Sequence, residues 1–71
     1  MSDVQSVIFP KKSWSISEAK DWLAEHGFRY GKVDSSYRHN FHSFRQFNPP
    51  RGGKYISKKI KGGIQLVILT N

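Results

Sequence analysis

The sequence predicts an α+β fold: a small, mainly antiparallel sheet, one helix packed on one face of it, and a β-hairpin at the C-terminus. Three observations support this prediction. Residues 16–26 form an amphipathic run with helix signals at both ends. Runs rich in β-branched and aromatic residues precede and follow it. Two glycines separate the last two such runs. With 71 residues, the chain is predicted to form one domain, residues 1–71.

The predicted helix has a start and an end that can be read directly. Ser15 and Glu18 have the spacing of a capping box, in which each side chain bonds a free backbone N–H of the other residue. Apolar residues then recur at steps of three or four, which is the helical period. They are Ile16, Ala19, Trp22 and Leu23. Gly27 suits the left-handed position just beyond a helix, so the helix is expected over residues 16–26.

The remaining runs predict strands. Residues 4–9 form a β-prone segment that Pro10 ends, and residues 30–33 suit a short strand. Within residues 41–47 phenylalanine recurs every third position, which a helix also permits. Good helix formers are scarce there and Pro49-Pro50 closes the segment, so we favour a strand.

The last strand of the expected hairpin is apolar on both faces. Residues 55–60 and 64–70 flank Gly62-Gly63, and glycine supplies the positive φ that tight hairpin turns need. One helix covers only one face of a small sheet, so the other face needs a second chain or stays an exposed apolar patch. We therefore predict a homodimer with the last strand at the interface. The predicted interface residues are Ile64, Leu66, Val67, Ile68 and Leu69.

Positive charge is concentrated in one part of the chain. Residues 27–71 carry nine Lys and Arg against the single acid Asp34, a formal charge of +8, whereas residues 1–26 carry −1. Such asymmetry points to a polyanionic partner, and Lys and Arg make the phosphate contacts that give nucleic-acid binding its affinity. The predicted nucleic-acid-binding residues are Arg29, Lys32, Arg38, Arg45, Arg51, Lys54, Lys58, Lys59 and Lys61.

Two further readings of this charge stay open. Lysines protect an exposed sheet edge and raise solubility, and a basic surface also binds an acidic protein. We favour nucleic acid, with DNA as the expected kind and Tyr37 and Tyr55 as candidate base-stacking residues. The helix carries Glu18, Asp21 and Glu25, which repel phosphate, so strands and loops are expected to bind without sequence preference.

No constellation in the sequence predicts catalysis. Cysteine is absent and four of the five carboxylates precede Gly27, so the prediction is a non-enzymatic protein without a cofactor or small-molecule substrate. His39 and His42 are candidate metal ligands, but no zinc-type spacing surrounds them. We interpret both as surface strand residues and expect no metal. The chain has neither an apolar run of membrane-spanning length nor a signal peptide, which predicts a soluble, intracellular protein without membrane contact.

Several short motifs occur in one order along nearly the whole chain. They are Val4-Gln5-Ser6-Val7-Ile8-Phe9, Trp14, Ser17-Glu18-Ala19-Lys20-Asp21-Trp22-Leu23, His26-Gly27-Phe28, Phe44-Arg45-Gln46 and Gly63-Ile64-Gln65-Leu66-Val67-Ile68. This order resembles a family of small proteins and domains of large DNA viruses and tailed phages, above all the form found in the marseillevirus group. The resemblance implies a viral protein in the infected host cell, in its cytoplasm, viral factory or nucleus, and in the virion for a structural or assembly role. It implies no catalytic residue.

Overall fold

The structure of the protein is a computed structural model that describes residues 3–34, 40–47 and 52–70. In chain order the elements are β1 (Asp3–Pro10), α1 (Ile16–Glu25), β2 (Val33–Asp34), β3 (Phe41–Arg45), β4 (Tyr55–Lys59), a 3₁₀ turn (Lys61–Gly63) and β5 (Gln65–Leu69). The five strands form one sheet in the order β2-β3-β1-β5-β4, and each neighbouring pair is antiparallel. This arrangement confirms the predicted α+β class, the single helix and the C-terminal hairpin.

The helix begins and ends as its sequence signals predict. The Ser15 hydroxyl accepts the Glu18 N–H at 3.1 Å, and the Ser15 N–H donates to the Glu18 carboxylate at 3.0 Å. At the other end Gly27 has a φ of +76°, and the N–H of Phe28 reaches back to the Leu23 carbonyl. This is a Schellman motif, in which glycine adopts the left-handed conformation without steric cost.

The core lies between α1 and one face of the sheet, with the central strand β1 at its middle. Val7 and Phe9 of β1 and Phe44 of β3 are fully buried against Ala19 and Leu23 of the helix. Phe9 makes edge-to-face contacts with three aromatic rings, at centroid distances between 5.2 and 5.7 Å. These rings belong to Trp14, Trp22 and Phe44.

The segment predicted over residues 41–47 is a strand over Phe41–Arg45, which confirms the preferred interpretation over a helix, and residues 46–47 lie beyond its end. The strand predicted over residues 30–33 is only partly correct, because β2 comprises Val33 and Asp34 and residues 30–32 lie outside the ladder. There the backbone of Arg29 bonds the side-chain amide of Gln46 instead of a neighbouring strand. The predicted turn at Asp34-Ser35-Ser36 and the loop at Pro49-Pro50 fall wholly or partly outside the described residues.

The hairpin closes through a bond from the Ile60 N–H to the Ile64 carbonyl, at 2.8 Å. Gly62 and Gly63 both have positive φ, and the loop has three residues, one more than a two-residue type I′ turn. The Trp14 indole N–H donates to the Gly62 carbonyl at 3.0 Å. The loop that follows β1 is thereby joined to the hairpin turn.

The register assigns each strand residue to one of two faces, because directly opposed residues share a face. The face that α1 covers includes the partners Phe44, Val7, Leu66 and Lys58. No helix of the described chain covers the other face, which we call the open face. Its strand residues are Asp34, Phe41, Ser43, Arg45, Asp3, Ser6, Ile8, Pro10, Gln65, Val67, Leu69, Tyr55, Ser57 and Lys59. In the part of the chain described, no helix is long and apolar enough to span a bilayer.

Candidate nucleic-acid interface

The predicted basic residues fall into two groups at opposite ends of the strand order. Arg29, Lys32 and Arg45 lie by β2 and β3 and are here called the arginine notch. Lys54, Lys58, Lys59 and Lys61 lie on or beside β4 and are here called the lysine edge. Strands β3 and β4 are three strand spacings apart in the sheet, roughly 14 Å. The candidate residues Arg38 and Arg51 lie outside the described residues.

The arginine notch surrounds a cavity of about 570 Å³, within the size range of small-ligand sites. Its three cations share the lining with Tyr30, Gly31, Gln46 and Phe47. A second cavity of about 390 Å³ adjoins it and shares Lys32 and Arg45. Ser6, Ser43 and Asp34 of the open face line this second cavity. The notch therefore continues onto the open face through Arg45.

Two glutamine side chains give the notch its shape. The Gln46 carbonyl oxygen accepts the Arg29 N–H at 2.7 Å, and its amide nitrogen donates to the Arg29 carbonyl at 2.8 Å. The Gln5 amide nitrogen donates to the Phe47 carbonyl at 2.9 Å. Gln5 is also the extra residue of a β-bulge, where the β1–β5 register shifts between Val4 and Ser6.

Sequence reasoning did not predict these two glutamines, because both are uncharged and glutamine has no strong structural preference of its own. It also did not single out Tyr30, which is 47 % exposed in the notch. The one available signal was the Arg29-Tyr30 dipeptide, a cation beside an aromatic ring.

The lysine edge is a free sheet edge. All five residues of β4 are exposed, and β4 is the last strand of the sheet. Lys59 lies on the open face, whereas Lys58, opposite Leu66, lies on the face that carries α1. Within the described ranges, none of the four lysine side chains has a hydrogen-bond or ion-pair partner. The seven predicted binding cations that the structure describes thus form two separate groups and not one continuous surface.

The acidic residues are distributed differently. Glu18, Asp21 and Glu25 are exposed on α1, in the layer behind the sheet. Asp3 and Asp34 lie at the sheet, where Asp34 borders the smaller cavity with Lys32 and Arg45. Arg45 and Lys59 therefore lie on the opposite face of the sheet from the acidic helix, whereas Tyr30 of the notch also lines a cavity with Asp21 of α1.

Of the candidate base-stacking residues, Tyr55 is 36 % exposed and lies on the open face at its outer strand. Tyr37 lies outside the described residues. On the opposite side of the open face, Phe41 is half-buried beside Pro10. Tyr55 and Tyr30 are the exposed tyrosines of the two basic groups.

The candidate dimer-interface residues separate between the two faces. Ile64 is fully buried in the core, and Leu66 packs against the core beneath α1. Ile68 lies on the same face as Leu66, two residues further along the strand. Only Val67 and Leu69 lie on the open face, and both are half-buried.

The interpretation of His42 as a surface strand residue is wrong. His42 lies opposite Phe9 and therefore faces α1, where it is 8 % exposed. Its Nε2 is 3.0 Å from the Trp14 carbonyl oxygen, so its ring closes the edge of the core. His39 lies outside the described residues. The described chain contains no group of three or more His, Cys, Asp and Glu residues placed to hold a metal ion.

Comparison with protein families, with curated proteins and with solved structures finds no match to this chain.

Proposed function

We propose that this protein binds single-stranded nucleic acid, DNA above all, along the open face of its sheet. The observation that carries the proposal is the continuity between the arginine notch and the open face. Arg45 lines both cavities, and Lys59 stands on the same face at the far strand. The acids of α1 lie in the layer behind. A polyanion on the open face thus meets cations at both ends, and the acids on that face in the described strands are Asp3 and Asp34.

Each part of this surface suits a different part of the ligand. Arg29 and Arg45 provide planar guanidinium groups, which bind phosphate oxygens in pairs. Between the two ends, Ser6 of β1 lines the smaller cavity at 7 % exposure, and Val67 of β5 lies opposite it. Tyr30 and Tyr55 offer exposed rings, and unpaired bases stack on such rings whatever their identity. This surface favours phosphate contacts and stacking, so binding should be independent of sequence.

The first experiment measures fluorescence anisotropy of a labelled oligothymidylate of about 15 nucleotides, which exceeds the site size of many single-strand-binding modules. Titrations at several salt concentrations between roughly 50 and 200 mM give the salt dependence. If the three notch cations and Lys59 each contact a phosphate, the slope of log K against log salt should be about −2 to −3. The reason is that each phosphate contact contributes about −0.7. Affinity that does not change with salt would contradict the proposal.

A matched pair of variants distinguishes binding at the arginine notch from attraction by the net charge of the protein. Arg45→Ala removes one cation from the notch, and Lys20→Ala removes one cation from the exposed surface of α1. Arg45→Ala should weaken binding several-fold and reduce the salt slope by about 0.7. Lys20→Ala should leave both nearly unchanged. Equal losses in the two variants would show that net charge alone drives binding.

A second candidate function follows from the apolar part of the open face. Ile8, Val67 and Leu69 are half-buried there, and no described helix covers them. A homodimer that pairs two open faces would bury them and would suit a virion or assembly protein, the setting that the viral resemblance implies. Light scattering on the wild type and on the Val67→Lys variant tests this. A wild-type monomer at high micromolar concentration would reject it, whereas a wild-type dimer that the variant abolishes would favour it.

A further inference from the structure

We propose that the outer edge of β4 binds an extended acidic peptide by strand addition. This site is separate from the notch and does not depend on the proposed nucleic-acid function. In strand addition, a peptide pairs its backbone with a free sheet edge and its side chains provide specificity. Strand β4 offers such an edge, five residues long, with every residue exposed.

The hydrogen bonds of the hairpin determine which backbone groups of β4 are free. The Thr70 N–H donates to the Lys54 carbonyl, and the Ile60 N–H donates to the Ile64 carbonyl. The register between these two pairs is continuous, so Ile56 and Lys58 also bond inward to β5. The N–H and C=O groups of Tyr55, Ser57 and Lys59 consequently point away from the sheet. These three residues form a ladder that an added strand can pair with.

The side chains of β4 define the chemistry of the partner. Lys59 lies on the open face and Lys58 on the opposite face, so a strand beside them needs consecutive carboxylates, one on each face. Ile56 is 54 % exposed and lies on the same face as Lys58. A partner residue opposite Ile56 should therefore be apolar. In antiparallel pairing, the partner sequence reads acid, acid, any residue, apolar residue.

The positive charge of the lysine edge favours an acidic peptide over a second copy of the chain. The lysine edge carries four cations, and the described residues contain no ion partner for any of them. Two such edges side by side would bring together eight lysines, and like charges at close range are destabilising. Nucleic acid would satisfy the lysines, but it has no peptide groups with which to continue the ladder. An acidic peptide satisfies both the charges and the backbone.

The probe is the capped peptide Thr-Glu-Glu-Thr-Val-Thr, whose two glutamates would lie opposite Lys59 and Lys58 and whose valine would lie opposite Ile56. Amide hydrogen exchange, measured by NMR at saturating peptide, gives the result residue by residue. The outward N–H groups of Tyr55, Ser57 and Lys59 should exchange at least roughly tenfold more slowly, because each acquires or borders a new hydrogen bond. The N–H groups of Ile56 and Lys58 already bond β5 and should change little.

Ser57→Pro is the decisive variant, and Ser57→Ala is its matched control. The Ser57 N–H points outward, so proline there removes no bond within the sheet, and edge strands tolerate proline in that orientation. Ser57→Pro should weaken peptide binding roughly tenfold or more, equal to the loss of about 1.4 kcal/mol, while Ser57→Ala retains it. A peptide with glutamine in place of both glutamates should also bind more weakly.

Several results would overturn the inference. One is the absence of any peptide-induced change on β4. Another is binding that survives Ser57→Pro but is lost in Lys58→Ala, since this would show charge attraction without strand pairing. A wild-type dimer that Ser57→Pro dissociates would make a second copy the occupant. If Ser57→Pro fails to fold, the peptide N-methylated at its fourth residue replaces it, and unchanged binding of that peptide would equally reject strand addition.

Discussion

Gln46 pairs with the backbone of Arg29 through both groups of its side-chain amide, at 2.7 and 2.8 Å. A side chain thus supplies the two bonds that a neighbouring strand would otherwise make. At the preceding residue, the Arg45 N–H donates to the Lys32 carbonyl at 3.2 Å. These bonds hold the backbone of residues 29–32 beside the end of β3. The three cations of the arginine notch are together because of them.

Gln46→Ala should therefore weaken nucleic-acid binding. The loss of affinity should be larger than the accompanying loss of unfolding free energy can explain. We expect a several-fold loss of affinity for oligothymidylate and a loss of about 1–2 kcal/mol of unfolding free energy, from two exposed side-chain bonds. Ser13→Ala is the control, because Ser13 is exposed in the loop between β1 and α1 and makes no side-chain hydrogen bond within the described residues. Anisotropy and urea denaturation measure the two effects. An equal loss of affinity in both variants would show that Gln46 does not position the notch.

Gly62→Ala tests the contact between the hairpin turn and Trp14. Gly62 has a φ of +88°, and a Cβ there would lie 3.3 Å from Trp14 Cζ2. The left-handed conformation alone costs an alanine about 1–2 kcal/mol, so we expect at least that loss in urea denaturation. At Gly31 the φ is not positive and a Cβ would meet nothing within 4 Å. Gly31→Ala should therefore stay within about 0.5 kcal/mol of the wild type, and a comparable loss there would refute the strain argument.

Phe9→Ala should be among the most destabilising single substitutions in this chain. Phe9 is fully buried and contacts three aromatic rings, so its removal leaves a cavity at the centre of the core. We expect a loss of about 3–5 kcal/mol by chemical denaturation, which is a large part of the stability of a small domain. Phe41→Ala, at a half-buried position of the open face, should cost about half as much or less. Similar costs at the two positions would contradict the assignment of the core.

The helix cap should produce a pH-dependent contribution to stability. The Ser15 backbone N–H, and then its hydroxyl, hold the pKa of the Glu18 carboxyl below its ordinary value of 4.5. Because the pKa is lower in the folded state, ionised Glu18 stabilises the fold above pH 4.5, and this contribution is lost as the pH falls through the folded-state pKa. Denaturation across this pH range compares the wild type with Glu18→Gln, which retains a hydrogen-bonding oxygen but not the charge.

The wild type should exceed Glu18→Gln in stability at neutral pH, and the difference should vanish in acid. The control is Glu25→Gln, at the opposite end of α1, where acidic residues do not favour the helix dipole. Glu25→Gln should not show a stability difference from the wild type that is present at neutral pH and vanishes in acid. A difference between wild type and Glu18→Gln that is constant with pH would mean that the charge of Glu18 makes no contribution through the cap.

Local patterns in the sequence were sufficient to predict most of the secondary structure. The capping box at Ser15 and Glu18, the glycine after the helix and the glycine pair at residues 62–63 act over a few residues, so neighbours in the chain reveal them. The strand over Phe41–Arg45 was also predictable from β-prone aromatics, despite their helical spacing. The buried environment of His42 was not predictable from the sequence, because burial depends on which face of the strand meets α1.

The sequence by itself determined the elements of the fold, the basic character of its C-terminal part and the need for an aromatic core. Only the tertiary structure decided that the cations form a notch and an edge, that Gln46 shapes the notch, and that Ser57 turns its backbone outward. The physical reason is that strand order and register bring together residues distant in the chain and assign each to a face. A shift of one residue in that register would move Lys58 to the open face and Lys59 away from it.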